Sequence, residues 1–140
     1  MKKINKIFVY GSLRQGGRLH HALGRNVSYY QGQLRGFKMF SLGGYPFIVS
    51  TGDYNDIVIG EVYGFNNKGL GETLPLLDQI ESGAGFDRTI VRVDTMRGIM
   101  DAWAYYFKTE PLGNVFDTEV LNGDWMKTGR YLKAEGGEII

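Results

Sequence analysis

Apolar residues in this chain come in short runs separated by glycine-rich polar stretches, the spacing of a sheet-rich protein with many turns. Ile4 to Tyr10 reads as a buried strand ending at Gly11. Arg18 to Leu23 reads as a short helix closed by Gly24. Val27 to Met39 is strand-like, punctuated by Gly32 and Gly36, and Ser41 to Pro46 has the composition of a loop. A short strand at Phe47 to Val49, a turn over Thr51 to Asp56 and a strand at Ile57 to Phe65 follow. The alternation of that last strand is imperfect, as expected when both faces are buried. Asn66 to Gly71 reads as a loop. Glu72 to Ile80 is the strongest helix: Leu74, Leu77 and Ile80 fall at helical spacing, Thr73 is placed to cap it, and Pro75 suits a first turn. Ser82 to Gly85 stops it. Asp87 to Thr95 alternates well, Ala102 to Phe107 is an aromatic strand, and the tail is polar apart from Trp125 and Tyr131.

Strands outnumber helices and do not alternate with them regularly. The expected class is therefore α+β, with a small, mixed, barrel-like sheet and one or two helices. At 140 residues, 43% hydrophobic and 14% aromatic, the chain fits a single domain over residues 1–140 with its own core. It has no cysteine, which removes disulfides, thiolate nucleophiles and Cys-based zinc sites, and fits a reducing compartment. The formal net charge is +1 with Lys and Arg scattered, so there is no basic face for nucleic acid. Only a strand-sized apolar run follows Met1-Lys2-Lys3, and no window reaches the roughly 18 apolar residues of a membrane span; neither a signal peptide nor a membrane partner is expected.

Two segments carry chemistry. In Tyr10-Gly11-Ser12-Leu13 a strand gives way to Gly-Ser before a short helix. That arrangement can expose consecutive backbone N–H groups that cradle a carboxylate, with the Ser hydroxyl as a further donor; an ordinary strand-to-loop turn is the other reading. Gly11 and Gly16 have phosphate-loop spacing, but Gly17 and Arg18 stand where that motif needs Lys and Ser or Thr. In Leu77-Asp78-Gln79-Ile80-Glu81, Glu81 lies four residues after Leu77 and seven after Leu74, on the apolar face of the helix at its C-terminus. Burial and the helix dipole would both push its pKa up, toward a base useful at neutral pH. The alternative is an exposed glutamate, or one paired with Arg88. His20 and His21 are adjacent and lack a third ligand, so no metal site is expected.

In order and spacing these residues resemble the γ-glutamylcyclotransferase superfamily, in particular its γ-glutamylamine-cyclotransferase-like branch. The resemblance covers Ile4 to Phe107. It rests on Tyr10-Gly11-Ser12-Leu13, Gly43-Gly44-Tyr45-Pro46, Gly60-Glu61-Val62-Tyr63, Leu77-Asp78-Gln79-Ile80-Glu81 and Arg88-Thr89-Ile90. It implies that the backbone of Tyr10, Gly11, Ser12 and Leu13 binds a γ-glutamyl head and that Glu81 deprotonates the substrate's α-ammonium. The free amine then closes on its own γ-carbonyl, releasing 5-oxoproline and an amine or amino acid. Tyr45, Phe86, Arg88 and Tyr106 are the expected pocket edge. The resemblance further implies a cytoplasmic monomer or homodimer acting on a small molecule, with no cofactor or metal. A non-catalytic carboxylate-binding module on the same fold is the alternative. One departure stands out: Phe86 occupies the place where the family usually carries Tyr, and the Glu81-to-Arg88 loop is about one residue short. That bears on the leaving group more than on ring closure.

Overall fold

The computed structural model describes residues 4–24, 26–42, 45–82, 86–107 and 119–128. Seven strands and one α-helix are formed among them: β1 (Lys6–Val9), β2 (Ser28–Arg35), β3 (Phe37–Leu42), β4 (Tyr45–Ser50), β5 (Ile57–Gly64), α1 (Asn67–Ser82), β6 (Phe86–Thr95) and β7 (Gly98–Phe107). Five strands close a barrel in the order β1-β5-β2-β6-β7, and β3-β4 form a separate two-stranded ladder. The seam between β1 and β7 is parallel, at Ile7 against Trp103, and the other ladders are antiparallel. The mixed, barrel-like α+β architecture is the one expected from the pattern of the chain.

Strand alternation sorts the apolar residues into two layers. Phe8, Leu34, Val58, Val62, Val91, Val93, Ala102 and Ala104, contributed by all five strands, fill the lumen. Ile7, Val9, Tyr63 and Tyr105 face outward and are covered by Leu70 and Leu77 of α1 and by Leu23. The lumen is too narrow for a side chain at every position. A Cβ on Gly60 would stand 2.2 Å from the Val9 carbonyl oxygen and 2.7 Å from the Phe8 ring. Gly60→Ala is therefore expected to cost on the order of 3 kcal/mol, read as a lower urea midpoint at unchanged m-value.

Several local expectations are corrected. Ser41, Tyr45 and Pro46 are not loop residues: Ser41 ends β3 with Leu42, and Tyr45 and Pro46 open β4, with Ser41 paired to Pro46. Residues 43–44 lie outside the described residues. Gly36, at φ +88°, turns the chain between β2 and β3. Helix α1 begins at Asn67, not Glu72, because Asn66 Oδ1 accepts the Gly69 N–H at 2.7 Å and caps it a turn and a half earlier. Thr73 is consequently interior; its hydroxyl donates to the Leu23 carbonyl at 3.1 Å, tying the helix to the His20–Leu23 turn. Pro75 also lies inside the helix, not in its first turn. The His20–Leu23 turn is 3₁₀ rather than α. Trp125 is fully buried against the lumen residues and is not a tail residue. Tyr131 and the Gly83-Ala84-Gly85 stop lie outside the described residues.

Chain direction decides where Glu81 lies. β5 is antiparallel to β1, with Gly64 opposite Lys6, so α1 departs from the end of the barrel where β1 begins. Running back along the outer face, it delivers its C-terminus to the end where β1 finishes at Val9. Tyr10 and the Gly11 loop leave the barrel there.

Candidate functional site

Tyr10 is buried, and its hydroxyl donates to the Tyr105 carbonyl at 2.8 Å, fixing the end of β1 to β7. After it the chain turns tightly. Gly11, Ser12 and Leu13 are buried, and their carbonyls all have donors. The Arg14 N–H bonds the Gly11 oxygen at 2.9 Å, the Leu19 N–H the Ser12 oxygen at 2.9 Å, and His20 Nδ1 lies 2.9 Å from the Leu13 oxygen. Among the described residues, no group accepts a hydrogen bond from the N–H of Gly11, Ser12 or Leu13. A buried row of open donors beside satisfied carbonyls is the arrangement that binds an anion.

Glu81 sits in the last turn of α1, wholly buried, as its spacing from Leu74 and Leu77 requires. Neither carboxylate oxygen has a hydrogen-bond partner among the described residues. Burial pushes its pKa up to about 9. It is not paired with Arg88: that guanidinium lies 3.4 Å from Asp78 and stacks 4.4 Å over the Trp103 ring. The Glu81 charge is felt at both tyrosines of this end. Tyr10 titrates well above its usual range, first through burial and then through Glu81. Tyr105 is raised by burial, by Asp78, which accepts its hydroxyl at 2.6 Å, and further by Glu81.

The structure thus brings Tyr10, Gly11, Ser12, Leu13 and Glu81 to one end of the barrel. Phe86 is there too, buried in one cluster with Leu13, Leu77 and Tyr105. Arg88 is turned to Asp78. Tyr106 alternates to the face of β7 opposite Tyr105 and lines a cleft of about 470 Å³ with Leu34, Phe37 and Thr89, which Glu81 does not border. The side chain of Tyr45 lies outside the described residues. Clefts of about 350, 470 and 590 Å³ elsewhere on the protein include neither Glu81 nor the Gly11–Leu13 loop in their lining; this end is a candidate site on its buried carboxyl and its open N–H row.

Three contributions were not singled out from the sequence. Asp78 and Tyr105 join α1 to β7; Asp78 was visible as part of the Leu-Asp-x-x-Glu segment. Arg14, beside the loop, binds Glu61 and Asp124 (Nη1 to Oδ1 at 2.9 Å). That network spans 110 residues and has no local signature.

The sequence pattern of the family described as "Gamma-glutamyl cyclotransferase, AIG2-like" matches residues 7–127. This chain belongs to that family. A γ-glutamylcyclotransferase family protein, ytfP of Citrobacter rodentium, is 30% identical over 127 residues, covering 90% of this chain and 99% of the relative. Among solved structures, YkqA from Bacillus subtilis superposes with a TM-score of 0.70 at 26% identity over 96% of this chain. The chain spans only 44% of that protein's length. An AIG2-like protein from Mus musculus has the same fold, with a TM-score of 0.63 at 21% identity, covering 89% of this chain and 95% of the other. The matched span contains both the Gly11 loop and Glu81, and it extends through Asp124. Family membership therefore takes in the C-terminal turns as well as the barrel.

Proposed function

We propose that this family member is a γ-glutamylcyclotransferase, cyclising a γ-glutamyl amine or γ-glutamyl amino acid. The observation that carries the reading is Glu81: a fully buried carboxyl without a hydrogen-bond partner among the described residues, at the barrel end that also holds the open N–H groups of Gly11, Ser12 and Leu13. An unpaired buried carboxyl is costly, and such groups concentrate at functional sites.

In this reading the N–H row holds the glutamyl head and stabilises the oxyanion that develops on the γ-carbonyl. Glu81 takes a proton from the α-ammonium. The amine nitrogen bonds to the γ-carbon, and Glu81 hands its proton to the leaving nitrogen as the carbon–nitrogen bond to it breaks. Glu81 then takes the second proton from the new ring nitrogen, which becomes a neutral amide, and passes it to the departing amine, which leaves as its ammonium form. The products are 5-oxoproline and the free amine. The attack is intramolecular, so holding the folded conformer supplies much of the acceleration, and residues of this chain suffice for every proton transfer. Phe86, clustered with Leu13, Leu77 and Tyr105, completes the reading as a pocket-edge residue and offers the leaving group a ring without a hydroxyl. The test is 5-oxoproline release, measured by mass spectrometry across a panel of γ-glutamyl compounds. Equal amounts of 5-oxoproline and amine are expected from at least one member, and none from any would sink the reading. The binding-module alternative calls for a Glu81 that is exposed or locked to Arg88, and the geometry favours neither.

The pH dependence follows from the proton count. The reacting pair must hold one proton between Glu81, at about 9 in the empty site, and an α-amine with a pKa near ~8. At low pH the pair holds two protons and the nucleophile is blocked. At high pH it holds none, and the leaving amine has no proton to take. A bell in kcat/KM is expected, rising about tenfold per unit below ~8 and falling above ~9. A flat profile from pH 6 to 10 would contradict it.

A further inference from the structure

The open N–H row exists because something turns the loop's carbonyls the other way. Directly behind the loop is Arg14, only 8% exposed. Its Nε donates to Glu61 Oε2 and its Nη1 to Asp124 Oδ1, at 2.9 Å. Glu61, 3% exposed on β5, also accepts the Gln15 N–H at 2.8 Å and the Tyr63 hydroxyl at 3.1 Å through Oε1. Asp124 also accepts the Met126 N–H at 3.2 Å. The guanidinium therefore bridges the barrel wall and the C-terminal Trp125–Thr128 turn, and pins the residue next to Leu13 to both. Consecutive carbonyls from Gly11 to Arg14 are engaged from the same coil: by Arg14 N–H, Leu19 N–H, His20 Nδ1 and Gly17 N–H.

Stability alone does not call for this arrangement. Replacing a buried ion network by neutral groups of similar size is often harmless to folding, because desolvation offsets the attraction. What apolar side chains could not supply is direction: two fixed N–H vectors to two carboxylates determine where the Arg14 backbone lies, and with it the preceding peptide planes.

We propose that Arg14, braced by Glu61 and Asp124, is a positioning residue that sets the Gly11–Leu13 N–H groups for the substrate's glutamyl head. The proposal rests on the cyclotransferase reading of that loop. It also gives the C-terminal turn a part in the site, since Asp124 holds one arm of the arginine.

The experiment compares the wild type with two variants: the discharged set Arg14→Met/Glu61→Gln/Asp124→Asn, which keeps acceptors for Gln15, Tyr63 and Met126, and the single Arg14→Lys, whose one ammonium cannot reproduce both fixed bonds. Melting temperature, calorimetric affinity for L-glutamate as a non-cyclising probe, the amide ¹⁵N shifts of Gly11, Ser12 and Leu13 on titration, and the kcat and KM profile are measured. The discharged variant is expected to melt within a few degrees of wild type, yet to bind L-glutamate at least tenfold more weakly and raise KM by a similar factor. Its three amide shifts on titration should be reduced, and its high-pH limb should stay unchanged. Arg14→Lys should fall between. A folded discharged variant with glutamate affinity and KM within twofold of wild type would overturn the proposal. If that variant does not fold, Arg14→Lys decides, with affinity within twofold of wild type counting as refutation and a loss of fivefold or more as support. Wild-type binding of L-glutamate at these amides without 5-oxoproline release would remove the cyclotransferase reading and leave the positioning role measurable by affinity. Absence of wild-type binding would remove both.

Discussion

Glu81→Gln is expected to lower kcat by about 10² to 10⁴ while the protein stays folded. The amide is nearly isosteric, so the buried position keeps its packing, but it cannot take a proton from an ammonium group. Turnover should not vanish: with an α-amine pKa near ~8, roughly a tenth of the substrate is already deprotonated at neutral pH. The residual activity should then follow substrate ionisation alone, rising through ~8 to a plateau without the descending limb that Glu81 contributes. A thermal melt recorded alongside separates lost chemistry from lost fold. Wild-type rates in the variant would show that another group moves the proton.

The second large effect is on stability, in the opposite direction. With a folded-state pKa raised to about 9 from an unfolded value of 4.5, Glu81 prefers its neutral form in the native protein. Its favourable contribution is fully present below 4.5 and is lost progressively as the pH rises through about 9, because the unfolded chain can ionise where the folded one resists. At pH 7 the penalty is roughly 3 kcal/mol, from 1.36 kcal/mol per unit of difference. Glu81→Leu removes it and fills the site with apolar atoms. The variant should lose at least as much activity as Glu81→Gln yet be more stable, by about 3 kcal/mol at neutral pH and by more at pH 9, with the advantage shrinking toward pH 5. Urea denaturation at pH 5, 7 and 9 measures this; an advantage that does not grow with pH would mean that Glu81 ionises freely. A residue that weakens the fold and is kept buried is the stability–function compromise expected at an active site.

The barrel was legible in the chain because its strands are short apolar runs cut by turn residues. Glu81 was legible because its helical spacing from Leu74 and Leu77 fixes its face whatever happens at the helix start. That start was misread because Gly69 and Gly71 are poor helix formers, and because Asn66, a loop-type residue, turned out to be the cap. Thr73 carried the cap signal but spends its hydroxyl on the Leu23 carbonyl, a partner fifty residues away. Strands β3 and β4 extend into a segment whose Gly and Pro content signals a loop, since a two-stranded ladder tolerates Pro46 at its edge. The Arg14 network was invisible for a similar reason. Its partners lie 47 and 110 residues away, and one of them, Asp124, sits in a stretch with no periodicity. Local pattern reports faces and turns; it does not report which distant charges a closed barrel brings together.

The central claim is that the Glu81 carboxyl exchanges a proton with a substrate ammonium. A ¹³C titration of that carboxyl tests it most directly, recorded on the free protein, with L-glutamate and with glutarate, which lacks the amine. The account predicts a pKa near 9 in the free protein, a fall of at least about one unit with L-glutamate because an ammonium beside the carboxyl favours its charged form, and no fall with glutarate. An ordinary carboxylate pKa in the free protein, or the same titration curve with both ligands, would contradict it.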